Sequence, residues 1–287
     1  MVYLDPTLNV ITRTLRSVGK KLVREFNEIE KLQSSIKGTS DFSNETYIKL
    51  KKNLIYSLQE IKPDYKFIFN NSKNKEQGSS NFWFIDPLNG LTNFSHGVPH
   101  FCISLAIIEN SSINGAAVYD PIKDEMFYAY KGKGSYLNDS RIRVSSRKKL
   151  EESILCYNFE SSNNKSIDRI YKNIKNNFSL TRVTGSSSLD MCYVACGRYE
   201  AYLQDRYNEL IMPAEGLIVR EAGGIISNNM DNLVEISWEK NIVSLIHSKN
   251  KENGRIKGDH EQNGCHYFCR YYWRICYFEF QRTLRSN

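Results

Sequence analysis

Leu8, Ile11, Leu15, Val18, Leu22, Phe26 and Ile29 recur every three or four positions near the start of the chain. That spacing lines one face of a helix. It predicts a long helix opening at Asp5-Pro6, where Asp caps free N–H groups and Pro needs none of its own. The stretch 35–45, SIKGTSDFSNE, is polar and reads as a turn. Asn44 then caps a second helix with Tyr47, Leu50, Leu54, Leu58 and Ile61 on one face, closed by Pro63 because a residue before proline disfavours helix. Tyr65–Phe69 is a short strand and 70–80 a polar loop. The apolar run Phe82–Ile85 is a buried strand that stops at Asp86-Pro87, since proline cannot continue a ladder, and Asn89-Gly90 marks a turn.

Strands follow densely at 101–108, 115–119, 125–130, 135–137 and 141–144, punctuated by Pro121 and by Gly132-x-Gly134. Short turns between close strands predict an antiparallel or mixed sheet. Composition turns polar over 145–170, which sets a soft boundary near residue 150. Beyond it, Gly185-Ser186-Ser187-Ser188 leads into a helical stripe of Leu189, Cys192, Tyr193 and Cys196, ended by Gly197. A strand at 199–203, a helix from Pro213 to 222, Gly223-Gly224 and a strand at Ile225-Ile226 predict a layered α/β second half. The expected division is 1–150, 151–261 and an aromatic, basic extension over 262–287.

The chain has 287 residues, 40% apolar and 25% charged, enough for a sizeable core. A net charge of +7 favours anionic partners such as nucleic acid or a phosphorylated small molecule, although no nucleic-acid motif emerges. The opening MVYLDPTLNV lacks the charged leader and apolar core of a signal peptide, and no apolar stretch is long enough to span a membrane. Seven cysteines, an odd number, in a chain of this size fit a reduced, cytoplasmic setting. His96 and His100 flank Pro99 closely enough to suggest a transition-metal pair, and Gly132-x-Gly134 reads as a hairpin. His260, Cys265, His266, Cys269 and Cys276 lack the paired spacing of a structural zinc site. The aromatic and basic residues around them suit a packed element, an interfacial segment or an extension altered by frameshift.

The run Trp83-Phe84-Ile85-Asp86-Pro87-Leu88-Asn89-Gly90-Leu91-Thr92-Asn93-Phe94 resembles the signature of the inositol monophosphatase family, W-x-I-D-P-[LI]-D-G-T-T-N-F. Val118-Tyr119-Asp120-Pro121, Lys131-Gly132-Lys133-Gly134, Thr184-Gly185-Ser186, Leu189-Asp190, Ala195-Cys196-Gly197-Arg198 and Gly216–Gly224 follow in family order, nearest to a bacterial branch. The resemblance implies an α+β fold, an αβαβα sandwich of the inositol monophosphatase/fructose bisphosphatase type. It also implies a homodimer and Mg²⁺-dependent hydrolysis of small phosphate monoesters. Such chemistry needs converging carboxylates, because clustered Mg²⁺ ions must neutralise a dianionic ester and acidify a bound water.

On this resemblance Asp86, the Leu88 carbonyl and Asn89 fall at metal-ligand positions, with Asn70 and Ile211 at two more. An acidic pair falls on Asn70-Asn71, a Trp-Asp pair on Leu210-Ile211, and the hydroxyl that positions the attacking water on Leu91, beside Thr92. Gly185 and Ser186 match a substrate loop, Gln204 the carboxylate that grips substrate hydroxyls, and Lys37 a basic position near the metals; Asp41 and Tyr47 match a further acidic motif. Asp86 is thus the one surviving carboxylate among the matched ligand positions. One charge–charge contact at about 4 Å is worth about 4 kcal/mol at an effective dielectric near 20, so losing several removes most of the drive for Mg²⁺. The expectation is an inositol monophosphatase-like protein with lost or much reduced activity, whether a binding scaffold or the product of a decaying gene. One alternative is an active phosphatase whose metal site is rebuilt from Glu45, Glu76, Asp205 or Glu209. Another is a non-enzymatic RNA- or protein-binding scaffold.

Overall fold

Helix α1, Pro6–Leu32, buries all seven residues of the first apolar stripe. Helix α2, Ile36–Gln59, starts well before Asn44 and overturns the turn expected at 35–45. Its polar opening is helical because Thr39, Ser43 and Thr46 lie on the buried face that Leu50, Leu54 and Leu58 continue. Ser43 satisfies its hydroxyl locally by donating to the Thr39 carbonyl at 2.6 Å, so its small side chain packs there without stranding its own polar group. A computed structural model describes residues 6–32, 36–70, 81–158, 176–205, 212–228 and 233–237, all within the unit Met1–Ser248. Most of the 70–80 loop, Leu210-Ile211 and the extension at 262–287 lie outside the described residues.

Seven strands form the first sheet in chain order: β1 Lys66–Phe69, β2 Phe82–Asn89, β3 Cys102–Glu109, β4 Ser112–Asp120, β5 Glu125–Tyr130, β6 Gly134–Leu137 and β7 Ser140–Ile142. β1 and β2 are parallel and the others antiparallel, which makes the sheet mixed. β2 does not stop at Asp86. It runs on to Asn89 through an irregularity: Asp86 pairs with Ser104 and Asn89 with Cys102, while Pro87 and Leu88 have no register partner. The bulge absorbs the proline without ending the strand. A five-residue helix, α3 Leu91–Ser95, follows the Asn89-Gly90 turn.

The second sheet has the order β11-β12-β10-β8-β9, from β8 Ile154–Asn158, β9 Leu180–Arg182, β10 Ala201–Asp205, β11 Ile225–Asn228 and β12 Leu233–Ser237. The sequence pattern did not reveal β8, β9 or β12, which are short and border polar stretches. Helices α4, Ser187–Ala195, and α5, Pro213–Glu221, lie where their glycine and proline signals placed them. One core joins the inner face of the first sheet, α4, α5 and residues of the second sheet such as Cys156 and Tyr202; the other joins α1 and α2 to the opposite face of the first sheet. The architecture is an α+β sandwich, with four of its layers among the described residues. A short helical turn, Leu150–Glu152, connects β7 to β8 along the chain.

Gly19 marks the closest approach of α1 to the sheet. A Cβ there would lie 2.4 Å from Cε1 of Tyr119 and 3.2 Å from Cβ of Pro121. Alanine favours a helix interior over glycine by about 1 kcal/mol, but overpacking a tight core costs about 1–3 kcal/mol. Tyr119 has little room to yield, being buried with its hydroxyl bonded to Asp124 at 2.8 Å. Gly19→Ala is therefore expected to lower stability by about 1 kcal/mol or more in urea unfolding; a rise in the midpoint would contradict this packing.

Candidate active site

Asp86 emerges from β2 onto the face of the sheet that meets α4 and α5, and it is 7% exposed. Three N–H groups surround its carboxylate. The Nδ2 groups of Asn70 and Asn89 each donate to Oδ2 at 3.1 Å, and the Leu88 backbone N–H donates to Oδ1 at 3.3 Å. Burial pushes the Asp86 pKa up, while these three donors pull it down. Asn70 sits in the turn after β1, its own N–H bonded to the Ile85 carbonyl at 3.1 Å.

The orientation of Asn89 is fixed from its other end. Its Oδ1 accepts from the Ser186 hydroxyl at 2.8 Å and from the Ser188 backbone N–H at 3.1 Å. Ser188 lies in the first turn of α4, where backbone N–H groups have no partner within the helix. Ser186, the residue at the N-cap position, makes no side-chain cap of its own. Asn89 therefore caps α4 from a different strand. A backbone N–H can only donate, so the amide oxygen must face α4 and the NH₂ must face Asp86.

That arrangement does not fit a Mg²⁺ ion. A hard cation requires oxygen lone pairs, and the groups turned toward Oδ2 of Asp86 are two NH₂ donors. Turning Asn89 over would put its NH₂ against the Ser188 N–H, donor to donor. Among the described residues, no group of three or more His, Cys, Asp or Glu side chains is placed to hold a metal.

The other residues singled out by sequence are distributed as follows. The Leu88 side chain is buried in the core; Leu91 packs on the α1–α2 core from α3, and Thr92 is exposed. Gly185 has φ +86°, and a Cβ on it would meet the side chain of Asn93, which ties the His100 and Thr184 carbonyls together at 2.7 and 2.8 Å. Gln204 on β10 is buried and accepts from the Tyr202 hydroxyl at 2.9 Å. Ile211, Asn71, Glu76 and Glu209 lie outside the described residues, as do the side chains of Lys37 and Asp205. Asp41 and Glu45 are exposed on α2, and Tyr47 is half-buried. His96 is exposed with Nδ1 2.8 Å from the Thr92 carbonyl oxygen, and burial lowers the pKa of the half-buried His100. Arg198 forms a two-pronged ion pair with Glu125, a structural contact. The Gly132-x-Gly134 hairpin donates both glycine N–H groups to Glu221, at 2.7 and 2.9 Å.

One acid escaped the sequence reading. Glu215, on α5, is 1% exposed, and its carboxyl is hydrogen-bonded by Ser104 and Ser188. Ser104 is the register partner of Asp86 across β2 and β3, so Glu215 belongs to the same polar island. Its Oε2 has no hydrogen-bond partner. Burial raises its pKa, and the charge of Asp86 adds to the rise. The available signal was its place in the sequence, four residues after Ile211.

Asp190, in α4, is fully buried and accepts from the Thr184 hydroxyl at 2.7 Å. Burial pushes its pKa from 3.8 up to about 6, partly offset by the Thr184 and Cys156 hydrogen bonds. The folded chain therefore holds this proton more tightly than the unfolded chain. That contribution is fully present below about pH 4 and is lost as pH rises through about 6; its full size is about 3 kcal/mol. Asp86 and Glu215, also raised by burial, act in the same direction. Urea unfolding followed from pH 4 to 7.5 is expected to show a stability loss that Asp190→Asn reduces; parallel curves for the two proteins would refute it.

The sequence pattern of the Inositol monophosphatase family matches residues 3–259. The chain is 34% identical over 221 residues to the Inositol-1-monophosphatase of Rhizobium meliloti, a match covering 76% of this chain and 83% of that protein. It is 33% identical over 234 residues to Nus factor SuhB of Pseudomonas aeruginosa, covering 78% and 86%. The crystal structure of extragenic suppressor protein suhB from Bartonella henselae superposes with a TM-score of 0.74 at 28% identity, covering 85% of this chain and 99% of that one. The chain belongs to the inositol monophosphatase family.

Proposed function

We propose that this chain is an inositol monophosphatase-type scaffold whose Mg²⁺-dependent phosphomonoesterase activity is lost or much reduced. The observation that carries the reading is the Asn89 amide, whose oxygen is committed to Ser186 and Ser188 and whose NH₂ is turned on Asp86. The role of a cation beside Asp86 is taken by three N–H donors, which satisfy a single buried carboxylate without drawing in Mg²⁺. Gly185, Ser186 and Gln204 are the positions at which a small phosphorylated metabolite would be held. Homodimerisation comes with the family reading. Cys102, Cys156 and Cys192 are free and buried, which supports a reduced, cytoplasmic setting. No helix among the described residues is long and apolar enough to cross a membrane.

A specific observation favours a second reading, an active enzyme with a rearranged site. Glu215 supplies a buried carboxyl group with an unpartnered oxygen in the same island as Asp86. A third reading, a non-enzymatic RNA- or protein-binding role, draws support from relatives named as factors and not as hydrolases, among them Nus factor SuhB of Haemophilus influenzae.

Phosphate release from inositol 1-phosphate across a Mg²⁺ series separates these. The unmodified chain is expected to give no Mg²⁺-dependent turnover, and a variant carrying Asn70→Glu, Asn89→Asp, Leu91→Thr and Ile211→Asp is expected to gain it. Robust turnover by the unmodified chain, abolished by Asp86→Asn, would overturn the inactive reading, and its loss in Glu215→Gln would assign the rearranged site. A second measurement is independent of catalysis. The thermal midpoint of the unmodified chain is expected to be insensitive to Mg²⁺, whereas the variant is stabilised by about 2.7 kcal/mol once Mg²⁺ reaches about 100 times its dissociation constant.

A further inference from the structure

The helical layer carries a cleft that the Asp86 site does not use. It lies between α1 and α2, has a volume of about 450 Å³, and includes Lys21, Arg24 and Glu25 from α1. Lys49, Lys52 and Asn53 face them from α2. Asp86 projects from the opposite face of the first sheet, toward α4 and α5, so the two sites are separate.

Four cations and one carboxylate leave a local excess of three positive charges in this cleft. Glu25 is paired with Lys49 at 3.6 Å, and Lys21 donates to Oδ1 of Asn53 at 3.4 Å. Among the described residues no ion pair holds Arg24 or Lys52, and both are exposed. Gathering like charges across a helix pair opposes the packing of those helices. The α1–α2 core itself is built from apolar side chains and small hydroxyl residues, none of them charged.

Two further observations point to a ligand. Thr46 lines the cleft, is 0% exposed, and its hydroxyl has no hydrogen-bond partner. One turn earlier on the same helix, Ser43 does find a backbone carbonyl, so the lone Thr46 hydroxyl is a local exception. Tyr56 follows Lys49 and Lys52 at the spacing of one helical stripe and is 71% exposed. Unpaired cations beside an exposed aromatic ring are the elements from which single-stranded nucleic-acid sites are built, with phosphates on the cations and a base on the ring. We propose that the α1–α2 cleft binds the phosphates of a single-stranded nucleic acid, with a base stacked on Tyr56.

The test uses the full chain and a fluorescein-labelled single-stranded RNA of about 12 nucleotides, followed by anisotropy between about 50 and 200 mM salt. Arg24→Gln with Lys52→Gln is expected to weaken binding about tenfold or more and to flatten the slope of log affinity against log salt by about 1.4. Tyr56→Ala is expected to weaken the RNA about tenfold and to leave tripolyphosphate binding, read by competition, unchanged. All three side chains are exposed, so these variants keep the core intact. Lys148→Gln with Arg182→Gln, at exposed cations outside the cleft, is the control and is expected to bind as the unmodified chain does. Failure to bind RNA at about 150 mM salt would overturn the proposal. So would equal loss in the control, which marks diffuse surface charge, or binding of tripolyphosphate alone, which marks a small-anion site.

Discussion

The backbone N–H of Ser188 is the constraint on which the centre of this protein depends. It sits in the first turn of α4, it can only donate, and its acceptor is the side-chain oxygen of Asn89. Once that bond is made, the rest of the Asn89 amide has one orientation, and its NH₂ is delivered to Asp86. A single capping contact thus links the first sheet to α4 and determines what Asp86 faces. The same bond that holds two layers together turns an NH₂ donor onto the carboxylate.

The electrostatics of the island follow from that geometry. Asp86 is buried, which opposes ionisation, yet three N–H donors favour the charged form. Glu215 has no comparable set: two hydroxyls reach its carboxyl, one oxygen is unpartnered, and Asp86 is nearby. Two buried carboxyl groups in one island are most cheaply held with one ionised and one protonated. A carboxylate at position 89 would add a second charge beside Asp86 and remove the NH₂ that now offsets the first. Asparagine at that position is therefore coherent with its surroundings: the neutral amide caps α4, satisfies Asp86 and adds no charge.

The loops around the site are held by contacts of a different kind. Gly185 keeps the left-handed backbone that brings the Thr184 carbonyl to Asn93, and Asn93 still ties two loops together. The hairpin at Gly132 and Gly134 is anchored by Glu221. Such contacts depend on backbone shape and on hydrogen bonds to side chains. Around Asp86 the partners are two neutral amides and one backbone N–H. The concentration of positive charge over α1 and α2 lies on the other side of the first sheet and is independent of Asp86.

Local sequence specifies the periodic elements and most of the turns. The seven residues of the α1 stripe repeat at helical spacing over about six turns, and Gly197 and Gly223 end helices with positive φ. Such features are local: a few neighbours along the chain suffice to specify them. Where local signals misled, the cause lay elsewhere in the fold. The polar start of α2 reads as a turn until the buried face that accepts its hydroxyls is present. Pro87 reads as a strand end until β3 is seen to tolerate a bulge opposite it. The packed fold is what turns the Asn89 oxygen to α4, brings Glu215 to Asp86 and gathers the cations of two helices along one cleft. Each of these joins residues far apart in the chain, and the direction of a hydrogen bond or the sum of a local charge exists only once those residues have met.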